Sequence, residues 1–89
     1  MTKFQVLLSE TARKDLDAMG AKDAARIRRG LSQLATDPYR PRSGADIRKL
    51  VAVDPPLYRL RVGDWRALYF VVEDQVKVTS IRRRENAYD

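Results

Sequence analysis

Two absences decide which chemistry this 89-residue chain can do: it has no histidine and no cysteine. Zinc or copper binding is therefore not expected, nor is a disulfide or a thiolate nucleophile. The usual general base near pH 7 is also missing, and Ser9 and Ser80 have no His partner for nucleophilic catalysis. What remains is mostly cationic. The stretch YRLRVGDWRALYF, Tyr58 to Phe70, holds Arg59, Arg61 and Arg66. Farther on, IRRRENAY adds Arg82, Arg83 and Arg84, with Tyr88 close behind. Guanidinium forks bind phosphate oxygens in pairs, and a ring beside them can stack on a base, so the combination suits a nucleotide. The plainer alternative is a solvated face in an arginine-rich protein, with Tyr88 a tail residue. Such a face would usually interleave Glu, Thr or Lys. Here the hairpin's one acid, Asp64, sits in its turn.

Secondary structure must bring these cations together. LYRLRV and WRALYFVV read as two strands around a Gly63-Asp64 turn, with Gly first, as a type II′ hairpin prefers. A two-residue turn pairs Val62 with Trp65, Arg61 with Arg66 and Leu60 with Ala67. Side chains alternate across a strand, so Arg59, Arg61 and Arg66 share one face, with Leu68 and Phe70. Tyr58, Leu60, Val62, Trp65, Ala67, Tyr69 and Val71 share the other, which makes a good core. A turn at Glu73-Asp74-Gln75 leads into a last strand, Val76 to Ile81. That strand lies beside the Arg66 strand and delivers Arg82, Arg83 and Arg84 to the same edge. Spacing alone does not say which of the three points toward Arg66.

Upstream, KFQVLLS reads as a first strand and Ser9 as the N-cap of a helix through Met19, stopped by Gly20. Ala24, Ile27, Leu31 and Leu34 form the apolar stripe of a second helix that ends at Asp37-Pro38, leaving Arg26, Arg28 and Arg29 off the stripe. Tyr39 to Arg48 has no period and several breakers, so a loop is expected there, carrying Arg40, Arg42 and Arg48. KLVAV, Lys49 to Val53, reads as a strand ended by Asp54-Pro55-Pro56. The expected fold is one α+β domain over residues 1–89. An N-terminal strand and an antiparallel helix pair pack on one face of a four-stranded, mainly antiparallel sheet, in the order β-α-α-β-β-β.

Composition sets the outer bounds. A chain this short makes one core and buries roughly 60–65% of its unfolded surface. The longest apolar run, Ala67 to Val72, is far short of the ~20 residues a membrane span needs. MTKFQVLLSE turns polar too soon for a secretory signal, so a cytoplasmic protein with no membrane partner is expected. A net charge of +6, with arginine well ahead of lysine, favours a polyanionic partner, nucleic acid before an acidic protein.

The hairpin and the basic, tyrosine-bearing end together resemble the RelE/ParE superfamily of toxins from toxin–antitoxin pairs, over nearly the whole chain. The family's hairpin reads approximately Y-R-x-R-x-G-D-Y-R-x-x-Y. This sequence matches it at Tyr58, Arg59, Arg61, Gly63, Asp64, Arg66 and Tyr69, with Trp65 where Tyr is usual. The resemblance implies a RelE-like fold. It also implies a metal-independent, cofactor-free endoribonuclease that cuts mRNA in the A site of the 70S ribosome by attack of a 2′-hydroxyl on the phosphodiester. By position, Arg59 and Arg61 match basic residues around the scissile phosphate and Arg66 the phosphate-binding arginine. Arg84 matches the residue that protonates the leaving 5′-oxygen, and Tyr88 the tyrosine that stacks on or orients the nucleotide. Arg48, Lys49, Arg82 and Arg83 are further candidate RNA contacts. The best-studied relatives carry lysines where this chain has Arg59 and Arg61, and arginine keeps its proton. These two are therefore better electrostatic stabilisers than bases. The implied partners are a RelB-like antitoxin, in a toxin–antitoxin hetero-oligomer, and the mRNA with its surrounding rRNA. Two other classes share the pattern: a ParE-like DNA gyrase inhibitor with no nuclease activity, and a non-toxic relative that only binds an acidic partner.

Overall fold

The computed structural model describes residues 3–51 and 54–83. Its elements are β1 (Gln5–Leu8), α1 (Glu10–Ala18), α2 (Ala21–Leu34), β2 (Asp46–Val51), β3 (Leu57–Val62), β4 (Trp65–Val72) and β5 (Gln75–Arg83). The strands form one sheet in the order β1-β5-β4-β3-β2. Among the described residues, only the β1–β5 pair is parallel. The α+β architecture is the expected one, but among the described residues the sheet has five strands rather than four. The segment before the meander is a full member, and it starts at Asp46, inside the stretch read as loop. Asp46 to Lys49 pair with Arg61 to Tyr58, which puts Ile47 in the core opposite Leu60 and takes Arg48 out of the loop.

The chain enters at one edge of the sheet, crosses its face as two helices, and returns strand by strand from the far edge. Ala12 and Leu16 of α1 and Ala24, Ile27, Leu31 and Leu34 of α2 are buried against Leu60, Ala67, Tyr69, Val76, Val78 and Ile81. Fully burying a chain such as Ile27 or Leu34, both at 0% exposure, contributes about 1.5–3 kcal/mol. Ser9 caps α1 as expected, its Oγ accepting from the Ala12 amide at 3.0 Å. Gly20 does not act as a left-handed stop. Its φ is −66°, and it is the N-cap of α2. The second helix ends at Leu34, three residues before Asp37.

The first hairpin has the register its two-residue turn requires: Val62 opposite Trp65, Arg61 opposite Arg66, Leu60 opposite Ala67. Gly63 sits at φ +59°, the left-handed first position of a type II′ turn, which Asp64 follows with a negative φ. The second turn is also two residues long, Glu73-Asp74, with Gln75 already paired to Val72. Glu73 occupies φ +56°, a conformation that normally favours Gly, Asn or Asp.

Three tyrosines pin the loop after α2. Tyr58 and Tyr69 stack at 5.6 Å between ring centroids, and Tyr39 meets Tyr58 edge-on at 5.7 Å. The buried Tyr69 hydroxyl donates to the Pro38 carbonyl at 2.6 Å. Burial, with Tyr58 beside it, pushes the Tyr69 phenol well above the usual tyrosine range. A pKa raised on folding contributes stability that is complete below the unfolded value and is lost as pH climbs past it. Wild-type stability should therefore fall as pH rises beyond about 10, where tyrosines of the unfolded chain ionise and Tyr69 does not. Tyr69→Phe should cost about 1–2 kcal/mol at pH 7, because Pro38 loses its donor. The same variant should flatten the alkaline fall. Urea unfolding across the pH series checks both.

Candidate functional site

Helices cover one face of the sheet. The other carries the arginines. Arg61 on β3, Arg66 on β4 and Arg82 on β5 are register partners, so they stand abreast across three neighbouring strands, with Asp46 of β2 continuing the row. Behind them runs a second row: Arg48, Arg59, Leu68 and Ser80. Two strand spacings put Arg61 and Arg82 on the order of 10 Å apart at the backbone. Like charges directly opposite cost up to about 1 kcal/mol per pair. The row holds two such pairs.

The row depends on a bulge. Leu68 pairs with Ser80 but Tyr69 pairs with Val78, so Thr79 is the extra residue on β5. Without it Arg66 would face Ile81, and Arg82 would lie on the helix side. With it, Ile81 enters the core at 2% exposure and Arg82 moves opposite Arg66. Which arginine points where is thus set by Thr79 rather than by the length of the preceding turn. Three hydrogen bonds hold the bulge, two from Ser9 and one to Leu68. The Ser9 amide donates to the Val78 carbonyl at 2.9 Å, and Ser9 Oγ donates to the Thr79 carbonyl at 2.8 Å. Thr79 Oγ1 donates to the Leu68 carbonyl at 3.2 Å. Beyond the end of β1, α1 takes over the edge: Asp15 Oδ2 accepts from the Ile81 amide at 2.9 Å.

The arginines are not a splayed, solvated set. Arg59 is 5% exposed and Arg66 only 1%. Arg66 Nη1 folds back over the hairpin turn and donates to the carbonyls of Gly63, at 3.1 Å, and Trp65, at 3.2 Å. Arg59 Nη1 lies 3.4 Å from both the carboxylate and the carbonyl of Asp46. These contacts are long for hydrogen bonds, and the Asp46 carboxylate is largely in water. Arg48, Arg61 and Arg82 are exposed. Among the described residues, two held guanidinia thus lie beside three exposed ones.

Two of the candidate RNA contacts are elsewhere. Lys49 pairs with Tyr58 on the helix-side face, and Arg83 pairs with Trp65, its guanidinium 5.0 Å from the ring centroid. Trp65 is half-buried against the core, as expected, with this cation over it. Arg84 and Tyr88 lie outside the described residues. Sequence reasoning missed Asp46, Asp15 and the second role of Ser9. Asp46 was hidden by Gly44, two residues before it in the apparent loop. Asp15 and Ile81 are 66 residues apart, and no local pattern joins them.

Residues 6–88 match the family model described as ParE toxin of type II toxin–antitoxin systems, parDE. The chain belongs to this family, within the RelE/ParE superfamily, and is a type II toxin. It superposes on the archaeal RelE of the RelE–RelB complex from Pyrococcus horikoshii OT3 with a TM-score of 0.81 and 26% identity, covering 96% of this chain and 99% of that one. A RelB–RelE antitoxin–toxin complex from Methanococcus jannaschii gives 0.73 at 24% identity, covering 93% and 95%. The RelBE2 complex from Mycobacterium tuberculosis gives 0.76 at 21%, covering 92% and 99%. The latter two share the fold. No curated protein matches the sequence.

If Asp15 holds the end of β5, Asp15→Ala should speed amide hydrogen exchange at Ile81 by about tenfold, the equivalent of about 1.4 kcal/mol, one hydrogen bond. Asp15→Asn, which keeps an acceptor oxygen, should recover most of the protection. Exchange followed by NMR reads both variants.

Proposed function

We propose that this toxin is a ribosome-dependent mRNA endoribonuclease, and that the exposed face of its sheet is where the phosphodiester is cut. The observation that supports this most is the row Arg61–Arg66–Arg82, three cations abreast on neighbouring strands of one sheet, with Asp46 opposite Arg61 at its end. A phosphodiester attacked by its own 2′-hydroxyl gathers negative charge on the equatorial oxygens, and preoriented cations favour that state over the ground state. Arg61 and Arg82, exposed on either side, meet the phosphate. Arg66 and Arg59, tied to carbonyl and carboxylate oxygens, add fixed positive charge from beneath. None of these arginines can act as a base, since guanidinium keeps its proton. Positioning of the 2′-hydroxyl therefore falls to the ribosome, and its deprotonation to a group such as Tyr88. Arg84, which keeps its proton for the same reason, steadies the charge on the departing 5′-oxygen by hydrogen bonding. The proton that oxygen takes up is the one released from the 2′-hydroxyl, passed on through water. Neither residue needs a metal or cofactor.

An antitoxin partner in a hetero-oligomer is supported by the structural relatives, each of which was solved as a complex with its antitoxin. Such a partner would neutralise the toxin by covering this face, where half-buried Phe70 and exposed Val72 add an apolar margin. The matching family model favours a second reading, a ParE-type gyrase poison in which the same arginines form an interface and none is catalytic.

Arg61→Ala separates activity from folding, because the side chain is exposed. The variant should keep its stability within about 0.5 kcal/mol and relieve the growth arrest caused by the wild type. Plasmid supercoiling by gyrase should be unaffected by wild-type protein. Full arrest by a folded Arg61→Ala variant would remove the catalytic role, and inhibited supercoiling would establish the gyrase reading.

A further inference from the structure

The arginines do not stop at the edge of the sheet. Between α2, the start of β2 and the end of β3 lies a cleft of about 380 Å3 whose walls include Arg26, Arg29, Gln33, Arg42, Arg61 and Val62. Its floor is tight because α2 touches β3 there. A Cβ on Gly30 would stand 2.8 Å from Val62 Cγ2, so only glycine allows the approach. Arg42 is spent on structure. Its Nη1 donates to the carbonyls of Asp37 and Arg40, and its Nη2 to that of Gln33. Arg26 and Arg29 are exposed and line the cleft, three residues apart on one side of α2.

Cleft and sheet face meet at the hairpin turn. On the helix side, a Cβ on Gly63 would lie 2.9 Å from Arg26 Nη2 and 3.4 Å from its Cζ, so the guanidinium is laid across this glycine. On the opposite side, Arg66 donates to the carbonyl of the same residue. Arg61, which lines the cleft and is also a member of the sheet-face row, joins the two. Gly63 therefore does two things: it makes the left-handed turn, and its missing side chain makes room for Arg26.

We propose that Arg26 and Arg29 form a second phosphate-binding site, and that one RNA strand runs from the sheet face around the Gly63–Asp64 turn into this cleft. The inference rests on the ribonuclease reading of the sheet face and extends it to a surface on the other side of the sheet. Two cationic groups on opposite sides of one turn call for a flexible chain with a charge on every unit. A nucleic-acid backbone is such a chain; a straight acidic helix is not. The forks of Arg26 and Arg29 suit phosphate oxygens, and the small apolar floor of Gly30, Ala45 and Val62 takes a sugar or a base edge.

The test uses the whole protein and a fluorescein-labelled single-stranded RNA of about twelve nucleotides, within the length range that one small domain can bind. Anisotropy titrations at several salt concentrations count phosphate contacts, at about 0.7 in slope per contact on a single strand. Arg26→Gln/Arg29→Gln should lower the slope by about 1.4 relative to wild type. Arg13→Gln/Lys14→Gln on α1 removes the same net charge from exposed positions away from the cleft and should leave the slope unchanged. On a trinucleotide, too short to reach both sides, the two double variants should behave alike. A slope for Arg26→Gln/Arg29→Gln equal to that of the α1 control would overturn the proposal. So would displacement of the RNA from the cleft by decaglutamate at lower concentration than by unlabelled RNA, which would make the cleft a protein-binding surface. Cleavage of ribosome-bound mRNA by the wild type is measured alongside. If it occurs while the slopes do not differ, the second site fails and the sheet-face reading stands; if it does not occur, the reading itself fails.

Discussion

Completion of the arginine row by Arg82 follows from one irregularity, the extra residue at Thr79, and from the hold that α1 has on it. Strand β1 supports only the first half of β5, and beyond Val78 it has run out. Ser9 and Asp15 replace it. Ser9 caps its own helix and at the same time donates to the bulged carbonyl, and Asp15 satisfies the next free amide. Together they protect a strand edge that would otherwise be open to wrong pairing, and they fix the phase of the strand beyond it. A β-strand admits only two phases. The one selected here sends Arg82 to the arginine row and Arg83 to the tryptophan on the other side.

Concentrating like charge is costly, and the surroundings show how the cost is contained. Arg66 is held by the carbonyls of its own turn and Arg59 by Asp46, so both sit against oxygen atoms, with their charge partly compensated. The exposed members can spread into water. Such an arrangement has little value for stability, because buried cations are expensive to desolvate and the same positions could carry apolar or neutral residues. It does have value for binding anions, since charges that are already positioned need no reorganisation when charge develops on a substrate.

Much of this was legible in the sequence because it is local. A two-residue turn with Gly first fixes the hairpin register, and the register fixes which face Arg59, Arg61 and Arg66 share. The helix stripes and the Ser9 cap follow from spacing in the same way. The elements that escaped depend on contacts distant in sequence or on a broken pattern. Asp46 begins a strand because Arg61 is available to pair with it, despite the glycine and prolines nearby. Burial of Arg59 and Arg66 depends on carbonyls that turn toward them only in the folded chain. The bulge at Thr79 interrupts the alternation by which strands are read, and its support comes from a helix near the other end of the chain.

The central claim is that these arginines serve RNA cleavage, and end mapping addresses it most directly. Purified protein is added to ribosomes programmed with a defined mRNA, and the new 5′ ends are located by primer extension, with the same mRNA free in solution beside it. Cuts confined to the codon in the A site, and dependent on the ribosome, are the predicted result. Intact mRNA on ribosomes that demonstrably bind the toxin would contradict the claim and leave the arginine face as a protein-binding surface.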